Sequence, residues 1–436
     1  MLLYSQYNTP RLAYVVSFIS KELFNDLIDI TTNKQEFLLY NHPKINYSGE
    51  ELSRDEFFIK NSSLLFETGV SKQNIDCSEL NYYKVFFETS GDLPFDIFAA
   101  VFYLLSRYEE YLPHQEDEFG RYAHTNSLAF KEGFLQSPLV NIWLQDFKKT
   151  LQEKFPDLVF RHSYFKFIPT YDIDIAYSYL HKGWKRNIGG LLKSMLNGQW
   201  SMVGERMKVL TKNKKDPFDS YEWLDSLHLY CRMRAYYFFL VAKEQKYYDK
   251  NISPSKHALQ NLIRYHANGY TVGIHPSWQS GDDEQLLSDE IGWLEEVINK
   301  KVTYSRQHYI RMKLPFTYRR LIEAGIEKDF SMGYGSINGF RASVASSFYW
   351  YDLEREVQTN LMLFPFCFMD SNSFYKQKLT AQQTLHELMN YYHAVKRVNG
   401  LMVTIWHNSF LGIDSNFSGW KEVYEVFLKD EVYWDM

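Results

Sequence analysis

Cysteine is the residue type whose scarcity says most about this chain. Only 3 cysteines occur among 436 residues, and Cys77, Cys231 and Cys367 lie far apart in the sequence. That number and spacing exclude a disulfide framework and a zinc site built on cysteine pairs, and they fit a reducing compartment.

Basic blocks and long apolar runs are also missing. The formal net charge is -5, and the densest cationic stretch, Lys212–Lys215, is interpreted as a solvated loop, so nucleic-acid binding is disfavoured. No run of about eighteen apolar residues is present, which predicts no transmembrane helix. The first residues lack the basic segment and apolar core of a secretory signal, so we expect a cytoplasmic protein.

Aromatic residues are plentiful by contrast. They make up 18% of the chain, with 34 tyrosines and 33 phenylalanines, and the hydrophobic share of 45% is enough for a large core. Ring faces stack well on the C–H surfaces of sugars, so this composition suits a protein that contacts carbohydrate. A codon bias in an AT-rich genome explains the same composition, and the sequence leaves both explanations open.

Residues 1–160 are predicted to form a smaller N-terminal α/β unit. The spacing of apolar positions predicts helices over Arg11–Phe24, Asp96–Tyr111 and Asn141–Phe155, and a short strand is predicted at Glu36–Tyr40. From residue 161 to residue 436 the pattern alternates between strand and helix. This alternation is typical of a parallel barrel or a doubly wound sheet.

Seven strands are predicted in this second unit, and that number favours a barrel. They are Phe165–Tyr171, Ala235–Val241, Tyr270–His275, Val302–Gln307, Asp329–Met332, Leu361–Phe368 and Leu401–Trp406. Helices predicted between them include Lys256–His266, Asp289–Lys300, Pro315–Ala324 and Ala381–Val398. The stretch 181–222 interrupts the alternation and is predicted to be a helical insertion above the barrel mouth.

Two carboxylates, Asp172 and Asp174, follow the first of these strands. Side chains two residues apart on a strand point to the same side, so both carboxylates are expected at one end of the sheet, where α/β folds place their ligands. Two adjacent acids repel unless one is protonated or a cation lies between them, and a divalent metal is the simplest such cation.

Histidines at the ends of three other strands could complete such a site. His275 ends one strand, His308 lies two residues after Arg306 at the end of another, and His407 follows the last strand. Neutral imidazole is a common zinc ligand and a plausible general acid, and an arginine can hold an aspartate ionised. A lone strand-end histidine is more often bound to a backbone carbonyl, but three of them with two carboxylates favour a metal site.

Three further residues form a predicted substrate-binding group on weaker patterns. Arg341 is a candidate for lining a substrate groove, Asp370 for contacting the substrate or for orienting His407 or Arg306, and Trp278 for stacking on a sugar ring. Each has a structural alternative, which is an ion pair for Arg341 and Asp370 and a packing role for Trp278. The sequence does not choose between these alternatives.

The order of these motifs resembles that of polysaccharide deacetylases with the NodB-homology fold. The resemblance rests on Thr170–Asp174, Ile274–Trp278, Ser305–His308, Tyr318–Ile326 with Phe330–Tyr334, and Ile405–His407, and it covers residues from about 165 to about 430. It implies a distorted (β/α)7 barrel and metal-dependent removal of N- or O-acetyl groups from sugars. Residues 95–111 resemble part of a poorly characterised domain that precedes such barrels in Bacteroidetes proteins.

The resemblance assigns roles to five residues. It implies that Asp172 is the catalytic base, that Asp174 and His275 bind the metal, that Arg306 orients the base, and that His407 protonates the leaving group. These roles agree with the chemistry that the residue types allow, with a divalent metal, zinc first, as the cofactor.

Three positions depart from the family's pattern. Ile173 separates two aspartates that are usually adjacent, Gln279 stands where a second metal-binding histidine is usual, and His308 stands where proline is usual. Because His308 is two residues from Arg306, its side chain is expected to point into the same site. We predict that His308 replaces the missing metal ligand.

Three hypotheses about function follow from the sequence. The first is a metal-dependent hydrolase that removes acetyl groups from a saccharide or glycan precursor. The second is a catalytically inactive barrel that binds saccharide or a partner protein, and the glutamine at position 279 motivates it. The third is a glycoside hydrolase that uses Asp172 with another carboxylate such as Asp370, for which the two carboxyl groups would lie about 5–9.5 Å apart.

Overall fold

The computed structural model of the protein describes residues 1–246 and 248–435. Its N-terminal part contains a small parallel sheet, a two-stranded hairpin and five α-helices. Its strands are β1 (Leu2–Tyr4), β2 (Asp29–Thr31), β3 (Lys44–Ser48), β4 (Phe57–Lys60), β5 (Ser78–Leu80) and β6 (Tyr83–Val85). Its helices are α1 (Pro10–Leu23), α2 (Lys34–Leu39), α3 (Ile97–Leu105), α4 (Leu128–Lys131) and α5 (Leu139–Lys154). Strands β2, β1, β3 and β4 pair in that order in parallel, and β5 and β6 form an antiparallel hairpin.

The long N-terminal helices follow the predicted pattern. Helix α1 begins where the hydroxyl of Thr9 accepts a hydrogen bond from the Leu12 N–H, with Pro10 in the first turn. It buries one apolar stripe against the core, which confirms the predicted helix Arg11–Phe24 to within one residue. Helix α5 agrees with its predicted position to within two residues, whereas the helix predicted to reach Tyr111 ends at Leu105.

The strand predicted at Glu36–Tyr40 is wrong, because this segment belongs to helix α2. The side chain of Asn33 accepts hydrogen bonds from the backbone N–H groups of Gln35 and Glu36, at 3.0 and 3.3 Å. An asparagine three residues before a glutamate is a signature of a helix start. The short apolar run Phe37–Leu39 is compatible with a strand, but the hydrogen bonds of the Asn33 cap stabilise a helix.

The C-terminal part is a large sheet alternating with helices. Its strands are β7 (Lys166–Ile173), β8 (Tyr236–Leu240), β9 (Thr271–His275), β10 (Tyr304–Ser305), β11 (Lys328–Asp329), β12 (Phe348–Asp352), β13 (Val357–Leu363), β14 (Phe368–Met369) and β15 (Leu401–His407). Its helices are α6 (Trp184–Leu196), α7 (Trp200–Leu210), α8 (Tyr221–Cys231), α9 (His257–Gly269), α10 (Glu284–Ile298), α11 (Phe316–Glu323), α12 (Ala381–Arg397) and α13 (Trp420–Val426).

The nine strands pair in the order β12–β13–β11–β10–β9–β8–β7–β15–β14, and every pairing except that of β12 with β13 is parallel. The parallel strands therefore end at one edge of the sheet. In the register of the central strands, Asp172 lies opposite His407 and Leu240 lies opposite His275. This register brings the predicted site residues of four strands to the same edge.

Residues of the sheet and its loops form a small apolar cluster separate from the main core. The buried members of this cluster are Phe238, Ile310, Phe330, Phe366, Met369, Val403 and Ile405. The mixed α/β architecture is thus confirmed. The pairings end at β12 and at β14, and among the described residues no pairing joins the two ends, so a closed seven-stranded barrel stays a prediction.

Two strand predictions need correction. The segment Leu361–Phe368 is divided between β13 and β14, because Pro365 lacks the N–H that a continuous ladder requires. Strand β12 was not predicted, although its sequence Phe-Tyr-Trp-Tyr-Asp has the aromatic composition that favours strands. The predicted helical insertion at 181–222 is present as helices α6 and α7.

Candidate functional site

The candidate site is a cavity of about 480 Å³ at the edge where the parallel strands end. Four of the residues predicted from strand ends line it, namely Asp172, His275, His308 and His407, and Asp174 lines it just beyond β7. The convergence expected from the alternation of side chains along the strands is therefore confirmed. The chemistry of the cavity depends on how these five side chains are held.

Arg306 and Asp172 form a buried ion pair. The Arg306 guanidinium is 0% exposed, and its Nη1 donates to Asp172 Oδ1 at 2.9 Å and to the hydroxyl of Thr170 at 2.6 Å. Its Nε donates to the carbonyl of Phe330 at 3.0 Å, and the guanidinium carbon lies 4.6 Å from the ring centre of Phe238. Burial lowers the pKa of Arg306, and the charge of Asp172 opposes this shift. The pair fixes the orientation of the Asp172 carboxylate.

Asp174, His275 and His308 offer three metal-ligand atoms that all lie within 4.8 Å of one another. His275 Nε2 is 3.0 Å from Asp174 Oδ1, and His308 Nε2 is 3.5 Å from Asp174 Oδ2. Burial alone would raise the pKa of Asp174, but the neighbouring histidines hold it well below its usual value. One carboxylate and two imidazoles are a donor set that catalytic zinc sites use.

The hydrogen bonds of His275 test whether this trio fits a cation. Its Nδ1 lies 2.6 Å from the backbone carbonyl of Arg306, which can only accept, so Nδ1 carries a proton and Nε2 of the neutral ring does not. Nε2 then presents a lone pair to Asp174 Oδ1, which is buried and has no hydrogen-bond partner among the described residues. Two acceptors at 3.0 Å require a proton or a cation between them. The residues present therefore fit a divalent metal.

His308 is backed by a second carboxylate, Asp249, that the sequence prediction missed. His308 Nδ1 lies 3.0 Å from Asp249 Oδ1, and burial, which would lower the pKa of His308, is outweighed by the two aspartates, which raise it to about 9. The Trp278 N–H and Gln279 Nε2 also donate to Asp249, at 2.9 and 3.2 Å. Asp249 lies nine residues beyond β8, where no spacing rule points to it.

Gln279 thus has a definite place in the site, although it is not one of the three clustered ligands. Its amide binds the Asp249 carboxylate and the carbonyl of Glu244, at 3.2 and 3.1 Å. The family that the sequence resembles usually has a metal-binding histidine at this position. In this chain the glutamine there supports Asp249, the carboxylate behind His308. A partner of this kind orients a metal-binding histidine and fixes its tautomer.

His407 is held in a similar way by Asp370. Its Nδ1 is 2.6 Å from Asp370 Oδ1, its backbone N–H donates to Asp370 Oδ2 at 2.7 Å, and its Nε2 is 3.6 Å from Asp174 Oδ2. Burial, which lowers the pKa of His407, is outweighed by the charge of Asp370, and the pKa is raised to about 10. Asp370 is itself buried and lies outside the cavity lining, so the structure places it behind His407 and not against a substrate.

The other two members of the predicted substrate-binding group lie elsewhere. Arg341 is buried and binds Glu110 of the N-terminal part through Nε at 2.8 Å and Nη2 at 2.5 Å, away from the cavity lining. Its place is the ion pair that the sequence left as the alternative. Trp278 lies beside the cavity without lining it. Its ring centre is 4.4 Å from the ring centre of Tyr248 and 4.5 Å from the guanidinium carbon of Arg311.

Aromatic rings surround the mouth of the cavity on two sides. Phe119, Tyr248 and Tyr309 form one side, with ring centres 4.9 to 5.7 Å apart, and Phe119 belongs to the N-terminal part. Tyr375 and Phe410 line the other side, with ring centres 6.0 Å apart. The sequence prediction included neither side, because these residues lie in loops far apart along the chain.

The N-terminal part matches a known family model. Residues 1–156 match a family described as a family of unknown function (DUF7033). This match ends before strand β7, so it includes Phe119 and Arg121 of the cavity lining but none of the five carboxylate and histidine residues of the site. A search of curated protein sequences gave no match.

Solved structures that resemble this chain include three from bacteria. One is a presumed polysaccharide deacetylase from Mycobacterium smegmatis, with 15% identity and a TM-score of 0.40 over 63% of this chain and 85% of the other. A polysaccharide deacetylase from Bacillus cereus has 11% identity and a TM-score of 0.32 over 61% and 88%. A presumed polysaccharide deacetylase involved in O-antigen biosynthesis from Bordetella bronchiseptica has 12% and 0.32 over 63% and 85%. These likenesses are distant, so the chemistry proposed below rests on this chain's own residues.

Proposed function

We propose that this chain is a metal-dependent hydrolase that removes an acetyl group from a saccharide. The observation that carries the proposal is the convergence of Asp174, His275 and His308 beside an arginine-bound carboxylate, Asp172. These three residues would hold a divalent ion, with zinc the first choice for one carboxylate and two imidazoles. Such an ion supplies Lewis acidity, which polarises an acyl carbonyl.

Asp172 is the proposed general base. Its Oδ1 is bound to Arg306, and its Oδ2 lies 3.8 Å from His275 Nε2, so Oδ2 is the oxygen directed towards the ligand trio. Because Arg306 holds Oδ1, the carboxylate is fixed in the orientation that directs Oδ2 into the cavity. Oδ2 would accept a proton from the water that attacks the acetyl carbon, a step often worth about 10²–10⁴-fold in rate.

His407 is the proposed general acid. Asp370 holds its Nδ1, which leaves Nε2 pointing towards Asp174 and the cavity. When the bond between the acetyl carbon and the sugar nitrogen or oxygen breaks, the departing atom would take the proton from Nε2. Water adds its oxygen to the acetyl group, so the products are acetate and a free amine or alcohol.

The choice of an acetylated saccharide as substrate has two supports. The order of the motifs from Thr170 to His407 resembles that of polysaccharide deacetylases, and the mouth of the cavity is lined by exposed or half-buried aromatic rings such as Tyr248 and Tyr375. Such rings offer flat apolar faces to the C–H surfaces of sugars. The identity of the sugar and the choice between amide and ester are left to experiment.

Acetate release and metal content together test the proposal. The purified chain is expected to contain about one equivalent of a divalent metal and to release acetate from acetylated oligosaccharides, with loss of both after chelation. Asp172→Asn should lower kcat by about 10²–10⁴-fold and keep the metal, whereas Asp174→Ala should lose the metal as well. Asp225→Asn, a carboxylate bound to Tyr265 and Tyr270 outside the cavity, is the control and should retain activity.

The alternative function, saccharide binding without catalysis, rests on Gln279. A glutamine amide is a poor zinc ligand, and this one is occupied by Asp249 and Glu244. A chain that contains no metal, binds acetylated oligosaccharides and is unaffected by Asp174→Ala would have this function. Metal-dependent acetate release that Asp172→Asn abolishes would exclude it.

A further inference from the structure

Helices α6 and α7 form a hairpin whose apolar side chains face outwards. On α6 the apolar positions follow the helical period, so they share one face, and they are exposed: Trp184, Ile188, Leu192, Met195 and Leu196. Helix α7 adds Trp200, Met207 and Leu210 in the same exposed state. Trp184 is 69% exposed, Leu196 87% and Trp200 66%. A helix of a globular protein normally turns such a stripe towards the core.

The inner side of the hairpin combines polar contacts with the buried side chain of Val209. Arg206 of α7 donates to the backbone carbonyl of Asn187 at 3.1 Å, and a side chain at Gly190 would collide with the Arg206 guanidinium. At the base, the Tyr179 hydroxyl donates to Glu205 at 3.2 Å. The two helices are therefore joined without using the exposed apolar stripe, which is left free to contact something outside the molecule.

The hairpin is also strongly basic. Residues 184–215 contain eight Lys and Arg side chains and one acidic side chain, which gives +7, so the rest of the chain carries -5 - 7 = -12. Lys185, Lys193, Lys208 and Lys212 are exposed. A basic amphipathic helix with tryptophan on its apolar face is typical of a segment that lies in the interface of an anionic membrane. A second copy of the chain is a poor partner, because two hairpins that each carry a positive net charge would repel each other.

The hairpin lies close to the candidate site. It follows strand β7, which carries Asp172, and the chain that leaves α7 reaches Phe218, a residue of the cavity lining. Arg186 of α6 donates to the backbone carbonyls of Lys250 and Asn251, at 3.1 and 3.2 Å, and Lys250 also lines the cavity. A surface that held this hairpin would therefore be near the cavity mouth.

We propose that the α6–α7 hairpin binds the surface of an anionic lipid bilayer. The apolar stripe with Trp184, Leu196 and Trp200 enters the boundary between headgroups and acyl chains, and the exposed lysines contact the lipid phosphates. Bound in this way, the hairpin holds the catalytic cavity at the membrane surface. No helix among the described residues is long and apolar enough to cross the bilayer. The proposed contact is docking on a single leaflet, as for other amphipathic helices that lie in the interface.

Sedimentation of the full chain with lipid vesicles tests the proposal. The probes are vesicles of phosphatidylcholine alone and vesicles in which a quarter of the lipid is phosphatidylglycerol. The chain is expected to bind the anionic vesicles, more weakly at high salt, and to bind neutral vesicles at least about tenfold less. The double variant Trp184→Ser with Leu196→Ser should reduce binding by about tenfold or more, and each of Lys193→Gln and Lys208→Gln by about fivefold.

A matched control uses the same residue types at exposed positions elsewhere. Leu229 is 82% exposed and Trp434 is 76% exposed, so Leu229→Ser with Trp434→Ser removes similar apolar surface away from the hairpin. This control should bind vesicles as wild type does. Equal binding to neutral vesicles, equal loss in the control, or no binding at all would each overturn the proposal. Formation of dimers in the absence of lipid, if the Trp184 and Leu196 changes abolished it, would overturn it in favour of self-association.

Discussion

His308 and His407 have the same hydrogen-bond arrangement on two sides of Asp174. Each ring binds a buried carboxylate through Nδ1, which is Asp249 for His308 and Asp370 for His407. Each Nε2 lies at nearly the same distance from Asp174 Oδ2, 3.5 Å for His308 and 3.6 Å for His407. Hydrogen bonding alone therefore does not distinguish a metal ligand from a proton donor in this cavity.

The two histidines differ in what they can reach and in how they are supported. His308 shares a common space with His275 and Asp174, and His407 does not belong to that group. His407 ends a seven-residue strand, whereas His308 follows a two-residue strand and precedes Tyr309 and Ile310, which have positive φ angles of 59° and 52°. For the function we propose, this difference in reach favours His308 as the metal ligand and His407 as the proton donor. The loop that carries His308 is short of regular structure and depends on contacts from other segments.

Replacing each histidine in turn should produce the largest effects. His308→Ala removes one of three ligand atoms, so metal affinity should fall by more than the 10–100-fold that loss of an outer partner costs. His407→Ala should keep the metal and lower kcat by about 10²–10⁴-fold. Metal titration and acetate release of both variants check the assignment.

If His407→Ala lost the metal and His308→Ala kept it with a lowered kcat, the proposed roles of the two histidines would be reversed. His386, an exposed residue of α12 outside the cavity lining, provides the control, because His386→Ala should alter neither metal affinity nor kcat. If both His308→Ala and His407→Ala lost the metal, the site would have four protein ligands and the proposed proton donor would be wrong.

The sequence predicts the strand-end residues of this comparison better than their supports. Asp172, Asp174, His275 and His407 lie at or just beyond long strands whose alternation fixes the direction of each side chain, so their convergence was predictable. Asp249 lies in a loop, and so does Arg121, which binds the backbone of Tyr309 next to His308. The position of a loop residue depends on the packing of the whole molecule and not on a local sequence pattern. His308 lies between these cases, since its offset from Arg306 gave the direction and the irregular backbone gave no further guidance.

Replacing Asp249 or Asp370 by asparagine should have a smaller effect than replacing the histidines. The first variant should mainly change metal affinity and the second mainly kcat. Asp249→Asn weakens the orientation of His308, so metal affinity should fall about 10–100-fold. Asp370→Asn should leave metal affinity close to wild type and lower kcat, because it disturbs the tautomer and charge of His407. Metal titration and steady-state kinetics separate the two outcomes, and an equal loss of metal in both variants would contradict the division of roles.

A further support of His308 comes from the N-terminal part. The Arg121 guanidinium donates to the carbonyl of Tyr309, the residue after His308, and it passes so close to Gly335 that a side chain there would collide with it. Arg121→Ala should therefore weaken metal binding by about tenfold, and Gly335→Ala should do the same by displacing an unchanged arginine. Cobalt titration followed by its visible absorption measures both the affinity and the geometry of the site.

Arg11 provides the matched control for Arg121. It is equally buried and also joins the N-terminal part to the C-terminal part, through Glu356 at 2.9 Å, but it lies outside the cavity lining. Arg11→Ala should lower thermal stability and leave the cobalt spectrum unchanged. If Arg11→Ala changed the spectrum as much as Arg121→Ala does, the effect of Arg121 would be one of stability alone.

The helical insertion at 181–222 shows a second limit of prediction from short sequence segments. The chain has a net charge of -5, and Lys212–Lys215 on its own is an ordinary loop. Once the stretch from Trp184 to Lys215 is folded into helices α6 and α7, exposed lysines and an exposed apolar stripe lie together on one hairpin. The helical period predicts the stripe from the sequence, but its exposure follows from how the two helices pack, with Arg206 and Val209 on the inner side.

The smallest expected effect concerns Gln279. Gln279→Ala removes one of the donors to Asp249 and leaves the Trp278 N–H in place, so metal affinity should fall only a few-fold, less than the tenfold lower limit for Asp249→Asn. Gln285→Ala is the control, because Gln285 also donates its amide to a carboxylate, Asp289, but on the exposed face of α10. If Gln279→Ala instead lost the metal as completely as His308→Ala, Gln279 itself would be a ligand, and the two sides of the site would differ in the number of ligands as well as in their support.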